Sequence, residues 1–113
     1  MVSIKESYQP RYSLDVIRQS AQKGSFRYDG RQVDRDIRNL GYTGDDVKRC
    51  ISNLITGQFQ KSIQYENAIY DVYITDYQKY DDAPIDKIYV KLRLLPNDEL
   101  QIVGIGSFHL IRL

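Results

Sequence analysis

The chain has 113 residues, enough for one domain with a core of its own, and 42% hydrophobic and 27% charged residues exclude a disordered or low-complexity chain. Its 16 basic and 15 acidic residues leave a net charge of +1, which gives no argument for nucleic acid. The one cysteine, Cys50, excludes an intramolecular disulfide and suits a reducing compartment.

The segment Met1 to Pro10 carries Lys5 and Glu6 and has no apolar run, so it reads as neither a signal peptide nor an anchor. No stretch approaches the roughly 18 apolar residues that span a bilayer, and a cytoplasmic protein is expected. Ser13 is a good N-cap for a first helix, Leu14, Ile17 and Ala21 form its apolar stripe, and Gly24 follows its end. Val33, Ile37 and Leu40 mark a second, short helix that stops at Gly41. Thr43 with Asp46 reads as a capping box with Asp in place of Glu. Behind it Val47, Cys50, Ile51 and Leu54 keep helical spacing up to Gly57, which makes Cys50 a packing residue.

After Gly57 the pattern turns to strands. Phe59 to Tyr65 and Ile69 to Ile74 flank a turn at Glu66-Asn67-Ala68. Tyr77 to Pro84 reads as a polar loop. From Ile88 to Leu95 the residues Ile88, Val90, Leu92 and Leu94 alternate with Tyr89, Lys91 and Arg93. Pro96-Asn97-Asp98 reads as the next turn, and Leu100 to His109 as a last strand in which Gly104 and Gly106 allow a bulge or a close backbone approach. The expectation is one α+β domain over 1–113. Its helical part covers about 13–56 and packs two or three helices on an antiparallel sheet of about four strands in 58–110.

One histidine and one cysteine cannot build the usual zinc site. Asp45-Asp46 is better read as the acidic first turn of a helix and Asp81-Asp82 as a soluble loop, so no metal is expected. A glycine-rich phosphate loop and a G-x-S-x-G elbow are both missing. What remains is one strand face bearing Tyr89, Lys91 and Arg93. Such a face suits a phosphodiester and its bases, but equally the solvated side of an antiparallel sheet. Lys61 and His109 do not stand out by composition.

Several short segments, taken in order, resemble the MqsR family of type II toxin–antitoxin toxins. They are Pro10-x-Tyr12-x-Leu14, Leu40-Gly41, Phe59-Gln60-Lys61-Ser62-Ile63, Asp71-Val72-Tyr73, Tyr89-Val90-Lys91-Leu92 and Ser107-Phe108-His109. The resemblance implies a RelE-like fold, a twisted antiparallel sheet with helices packed on it. It implies a metal-independent, ribosome-independent endoribonuclease that cuts single-stranded mRNA by attack of the ribose 2′-hydroxyl, with no cofactor. Lys61, Tyr89 and His109 are carried over as catalytic, His109 standing where a lysine occurs in the family. Lys91 is carried over as a phosphate contact. Tyr70 stands where one member of the family has glutamine and is kept as a stacking or donating residue, while Arg93 is added from the strand pattern as a phosphate clamp. The implied partners are mRNA and a cognate antitoxin, typically a zinc-binding helix-turn-helix repressor, since the chain carries no DNA-reading motif. Two other readings remain: a non-catalytic, sheet-based protein-binding module, and a RelE-like toxin that cuts only on the ribosome.

Overall fold

Local chemistry sets where the helices begin and end. The structure, a computed structural model, describes residues 4–97 and 100–111. Helix α1 spans Leu14–Gln22, and the Ser13 hydroxyl accepts the Val16 N–H at its start. Helix α2 spans Arg31–Asn39 and buries Val33 and Ile37. Helix α3 spans Gly44–Ser52 behind the expected capping box, in which the Asp46 carboxylate accepts the Thr43 N–H at 2.8 Å and the Thr43 hydroxyl accepts the Asp46 N–H. It ends five residues before Gly57, because the Asn53 side chain turns back and donates to the Arg49 carbonyl at 2.6 Å. Gly57 belongs to a separate 3₁₀ turn, Thr56–Gln58.

Among the described residues the sheet has six strands: β1 (Lys5–Ser7), β2 (Phe26–Tyr28), β3 (Phe59–Gln64), β4 (Ile69–Tyr77), β5 (Asp86–Asn97) and β6 (Leu100–Leu110), in the order β1-β3-β4-β5-β6-β2. The four long strands are antiparallel, as the alternation predicts. The two short edge strands were not anticipated. β1 adds antiparallel to β3, but β2 adds parallel to β6, so the sheet is mixed. Within the expected loop from Tyr77 to Pro84, Tyr77 is still in β4: its buried ring carries a hydroxyl that donates to Asp46 at 2.8 Å. Pro96 and Asn97 are still paired in β5 opposite Gln101 and Leu100, while Asp98 lies outside the described residues.

Ile88, Val90 and Leu92 face the helices and are fully buried with Ile17, Val47, Ile51, Leu54 and Phe108. Cys50 lies in the same core, and burial pushes its thiol pKa up to about 12, which suits packing rather than chemistry. The Asp71-Val72-Tyr73 segment divides three tasks along β4. Tyr73 joins the core, while Val72 is buried on the opposite face. Asp71, fully buried, accepts the backbone N–H groups of Arg11 and Tyr12 at 2.9 Å each and the Ser62 hydroxyl, so it fastens the approach to α1 onto the sheet. Among the described residues no helix is long and apolar enough to cross a membrane.

Candidate functional site

The site is built on the sheet face that points away from the helices. In an antiparallel ladder, residues opposite one another share a face. Lys61 stands opposite Val72, Val72 opposite Lys91 and Lys91 opposite Ser107. One row further along, Ile74 stands opposite Tyr89 and Tyr89 opposite His109. Lys61, Tyr89, Lys91 and His109 therefore share one face although they come from three strands. Beneath them Val72 and Ile63 are 1% and 7% exposed and form a small apolar floor.

Lys61 and Tyr89 line one depression of about 360 Å³ together with Glu6, Tyr8, Gln60, Val72 and Ile74. Lys61 Nζ donates to the Glu6 carboxylate at 2.9 Å, and this hydrogen bond raises its pKa. Burial raises the pKa of Tyr89, with the nearby Tyr65 adding to it and Lys61 opposing it. The His109 ring stacks on Tyr89 with centroids 5.0 Å apart and planes 16° apart. Its Nδ1 is 2.8 Å from the Leu110 carbonyl, and a carbonyl only accepts, so Nδ1 carries the hydrogen. Nε2 is then the nitrogen able to exchange a proton. Lys91 donates to the Tyr65 hydroxyl at 2.8 Å and lies 4.7 Å from that ring's centre.

Tyr70 and Arg93 are held elsewhere on the face. Arg93 is four residues beyond Tyr89 on β5, about 13 Å along the strand. Arg93 Nε and the Tyr70 hydroxyl both donate to Asp29 Oδ2 at 2.8 Å, while Arg27 donates to Oδ1 at 3.2 Å. Burial alone would raise the Asp29 pKa, but Arg93, Tyr70 and Arg27 outweigh it and hold the carboxyl below the usual range. The two glycines of β6 make room here. A Cβ on Gly104 would lie 2.7 Å from Asp29 Oδ2, and one on Gly106 would lie 2.5 Å from the Tyr70 ring. Gly106 is also the bulge: Lys91 pairs with Ser107 and Leu92 with Ile105, which leaves it without a partner opposite.

The six residues singled out from sequence thus divide into two groups. Lys61 and Tyr89 line the depression, with His109 stacked on Tyr89 outside it; Tyr70 and Arg93 gather around Asp29, and Lys91, 4.7 Å from the Tyr65 ring and 5.5 Å from the Tyr70 ring, stands between the two groups. Asp81 and Asp82 sit in a loop drawn to the helix side, where Lys79 donates to the Gly41 carbonyl at 2.6 Å and its own carbonyl accepts from Arg49 at 3.2 Å. Asp76 is on the outer face but pairs with Lys87 at 3.2 Å.

Sequence reasoning missed Glu6, Tyr8, Asp29 and Tyr65. Tyr65 was within reach, because alternation continues from Lys61 and Ile63 to it. The others depend on edge strands of three residues, too short to show a period. No group of three or more His, Cys, Asp or Glu able to hold a metal occurs among the described residues.

Compared with known families, residues 9–109 match the one described as motility quorum-sensing regulator, toxin of MqsA. No curated protein matches the chain.

Proposed function

Since the chain belongs to the MqsR toxin family and is the toxin of a toxin–antitoxin system with a cognate antitoxin, we propose that it is a metal-independent, ribosome-independent endoribonuclease acting on single-stranded mRNA. The observation that carries this reading is the meeting of Lys61, Tyr89 and His109, brought from three strands to one open face.

Without a metal, cleavage requires three things: removal of the 2′ proton, positive charge on the phosphate oxygens, and a proton for the 5′ leaving oxygen. Lys61, held protonated by its carboxylate partner, supplies charge at the phosphate. Tyr89 donates a hydrogen bond there. His109 exchanges a proton through Nε2, with its ring fixed by the Tyr89 stack and its other nitrogen by the Leu110 carbonyl. Lys91, close to the Tyr65 and Tyr70 rings, follows the backbone of a neighbouring nucleotide whose base stacks on tyrosine. Arg93 stays bound to Asp29 through Nε and meets phosphate with its terminal nitrogens, and Tyr70 buttresses that arrangement. The products are a 2′,3′-cyclic phosphate and a 5′-hydroxyl, and DNA is not cut. The antitoxin is proposed to be a zinc-binding helix-turn-helix protein of the MqsA kind, with operator binding assigned to it.

The test is to incubate the purified chain with naked single-stranded RNA in EDTA beside Lys61→Ala. Cutting at discrete sites with cyclic-phosphate ends, lost in the variant, is expected. Cutting that appears only on translating ribosomes would replace this reading with a ribosome-dependent one.

A further inference from the structure

The depression contains a group singled out neither by the strand pattern nor by the family resemblance. Glu6 reaches it from β1, with Oε1 2.9 Å from Lys61 Nζ. The two side chains are 44% and 33% exposed, so the pair opens to solvent. Of the described residues lining the depression, Glu6 is the one carboxylate. Its position is fixed twice. Glu6 pairs with Ile63 across the β1–β3 ladder, and the chain just beyond β1 is fastened where Asp71 accepts the Arg11 and Tyr12 N–H groups.

The reaction needs a group able to accept the 2′ proton. Lys61 and Tyr89 do not fit. The Glu6 hydrogen bond raises the Lys61 pKa and burial raises that of Tyr89, so both keep their protons. His109 and Glu6 remain. They approach Tyr89 from opposite sides: His109 is stacked on its ring from β6, and Glu6 shares the depression with it from the β1 side. An in-line displacement asks for this division, with the acceptor at the attacking oxygen and the donor at the leaving one.

We propose that Glu6 is the general base of the reaction, an assignment that rests on the ribonuclease reading above. A Glu6 carboxylate oxygen takes the 2′-hydroxyl proton as the 2′ oxygen forms its bond to phosphorus. The bond from phosphorus to the 5′ oxygen breaks, and protonated His109 gives its Nε2 proton to that oxygen. The carboxylate ends protonated and the imidazole neutral, so charge and protons balance, and solvent restores both. Lys61 aims the carboxylate while its charge faces a non-bridging phosphate oxygen.

The experiment compares wild type, Glu6→Gln and Glu6→Asp on one RNA transcript. An exposed edge position makes these variants gentle on the fold. Glu6→Gln is expected to cut about 10²–10⁴-fold more slowly, with Glu6→Asp in between. Affinity for a 2′-O-methyl oligonucleotide carrying the sequence that wild type cuts is expected to stay level or tighten, since a negative charge leaves the phosphate's neighbourhood. A substrate with sulfur in place of the 5′ leaving oxygen needs no donated proton. It should restore cutting by His109→Ala and leave the Glu6→Gln defect in place. The assignment is overturned if Glu6→Gln cuts as fast as wild type, if its defect tracks lost oligonucleotide binding, or if sulfur rescues it. If wild type itself cuts no naked RNA, the ribonuclease reading falls and this assignment falls with it.

Discussion

The two faces of the sheet are built from the same strands by opposite rules. On the helix side Ile88, Val90 and Leu92 are completely buried in a core of mainly apolar side chains, where the Tyr77 and Tyr42 hydroxyls are each satisfied by a carboxylate, Asp46 and Asp86. On the outer side the same strand presents Tyr89, Lys91 and Arg93, and each is engaged: Tyr89 with His109, Lys91 with Tyr65, Arg93 with Asp29. The first face gains its stability from area removed from water, which depends little on direction. The second gains little stability from partly exposed pairs but fixes where its charges stand. Stability and chemistry are therefore separated by the width of one pleat.

Adjacent residues of β5 offer the sharpest way to break this comparison. Leu92→Ala should cost about 2–5 kcal/mol, read as a lower melting temperature, because the cavity cannot be refilled from a packed core. Lys91→Ala should cost only about 0.5–1.5 kcal/mol, yet weaken RNA binding. Equal losses of stability would show that the outer face is structural too. Next in size, Lys61→Ala should slow cutting by about 10²–10³-fold. Its unfolding midpoint in urea should move by no more than about 0.5 kcal/mol of stability, as for other surface changes. A smaller effect is expected at Gly106→Ala, whose new methyl group would run into the Tyr70 ring, at about 1–3 kcal/mol. Adding Tyr70→Ala should give part of that back if the clash is the cause, and a double-mutant cycle would read it.

The smallest effect concerns pH, and it belongs to the helix side. Burial would raise the Asp46 pKa, but the Thr43 N–H, the Tyr77 and Thr43 hydroxyls and Arg49 outweigh it, and the net shift is downward. A carboxyl whose folded pKa is depressed contributes stability above its unfolded value and loses it as pH falls through the folded one. Wild type should therefore lose melting temperature below the usual carboxylate range, and Asp46→Asn should lose less over that window. Parallel acid curves for the two proteins would remove Asp46 from the account.

Much of this was legible in the sequence because it is local. Ser13 and the Thr43–Asp46 box announce helix starts through bonds spanning three residues, and alternation along β5 assigns its faces without any knowledge of its neighbours. The edge strands were not legible. Three residues show no period, and their pairing is decided far away, as when Glu6 meets Lys61 across 55 residues. Separations of 41 and 64 residues likewise hid Asp29, an unremarkable loop acid until Tyr70 and Arg93 are brought onto it. Within the candidate site the cations and aromatics could be chosen residue by residue, but which of them stand together follows from strand register, and the bulge at Gly106 sets that register for β6.

The parallel pairing of β2 with β6 carries a consequence for how the protein is made. Residues 26–28 lie beside residues 103–105, and the Ser25 hydroxyl donates to the Gln101 carbonyl 76 residues on. Contacts that close so long a stretch of chain form late, since the entropy of closure is lost before any contact compensates it. His109 is carried by that same late strand. During synthesis the Lys61 hairpin thus emerges well before β6, so under the ribonuclease proposal the face that carries Lys61 and His109 stays incomplete until residues 100–110 have left the ribosome.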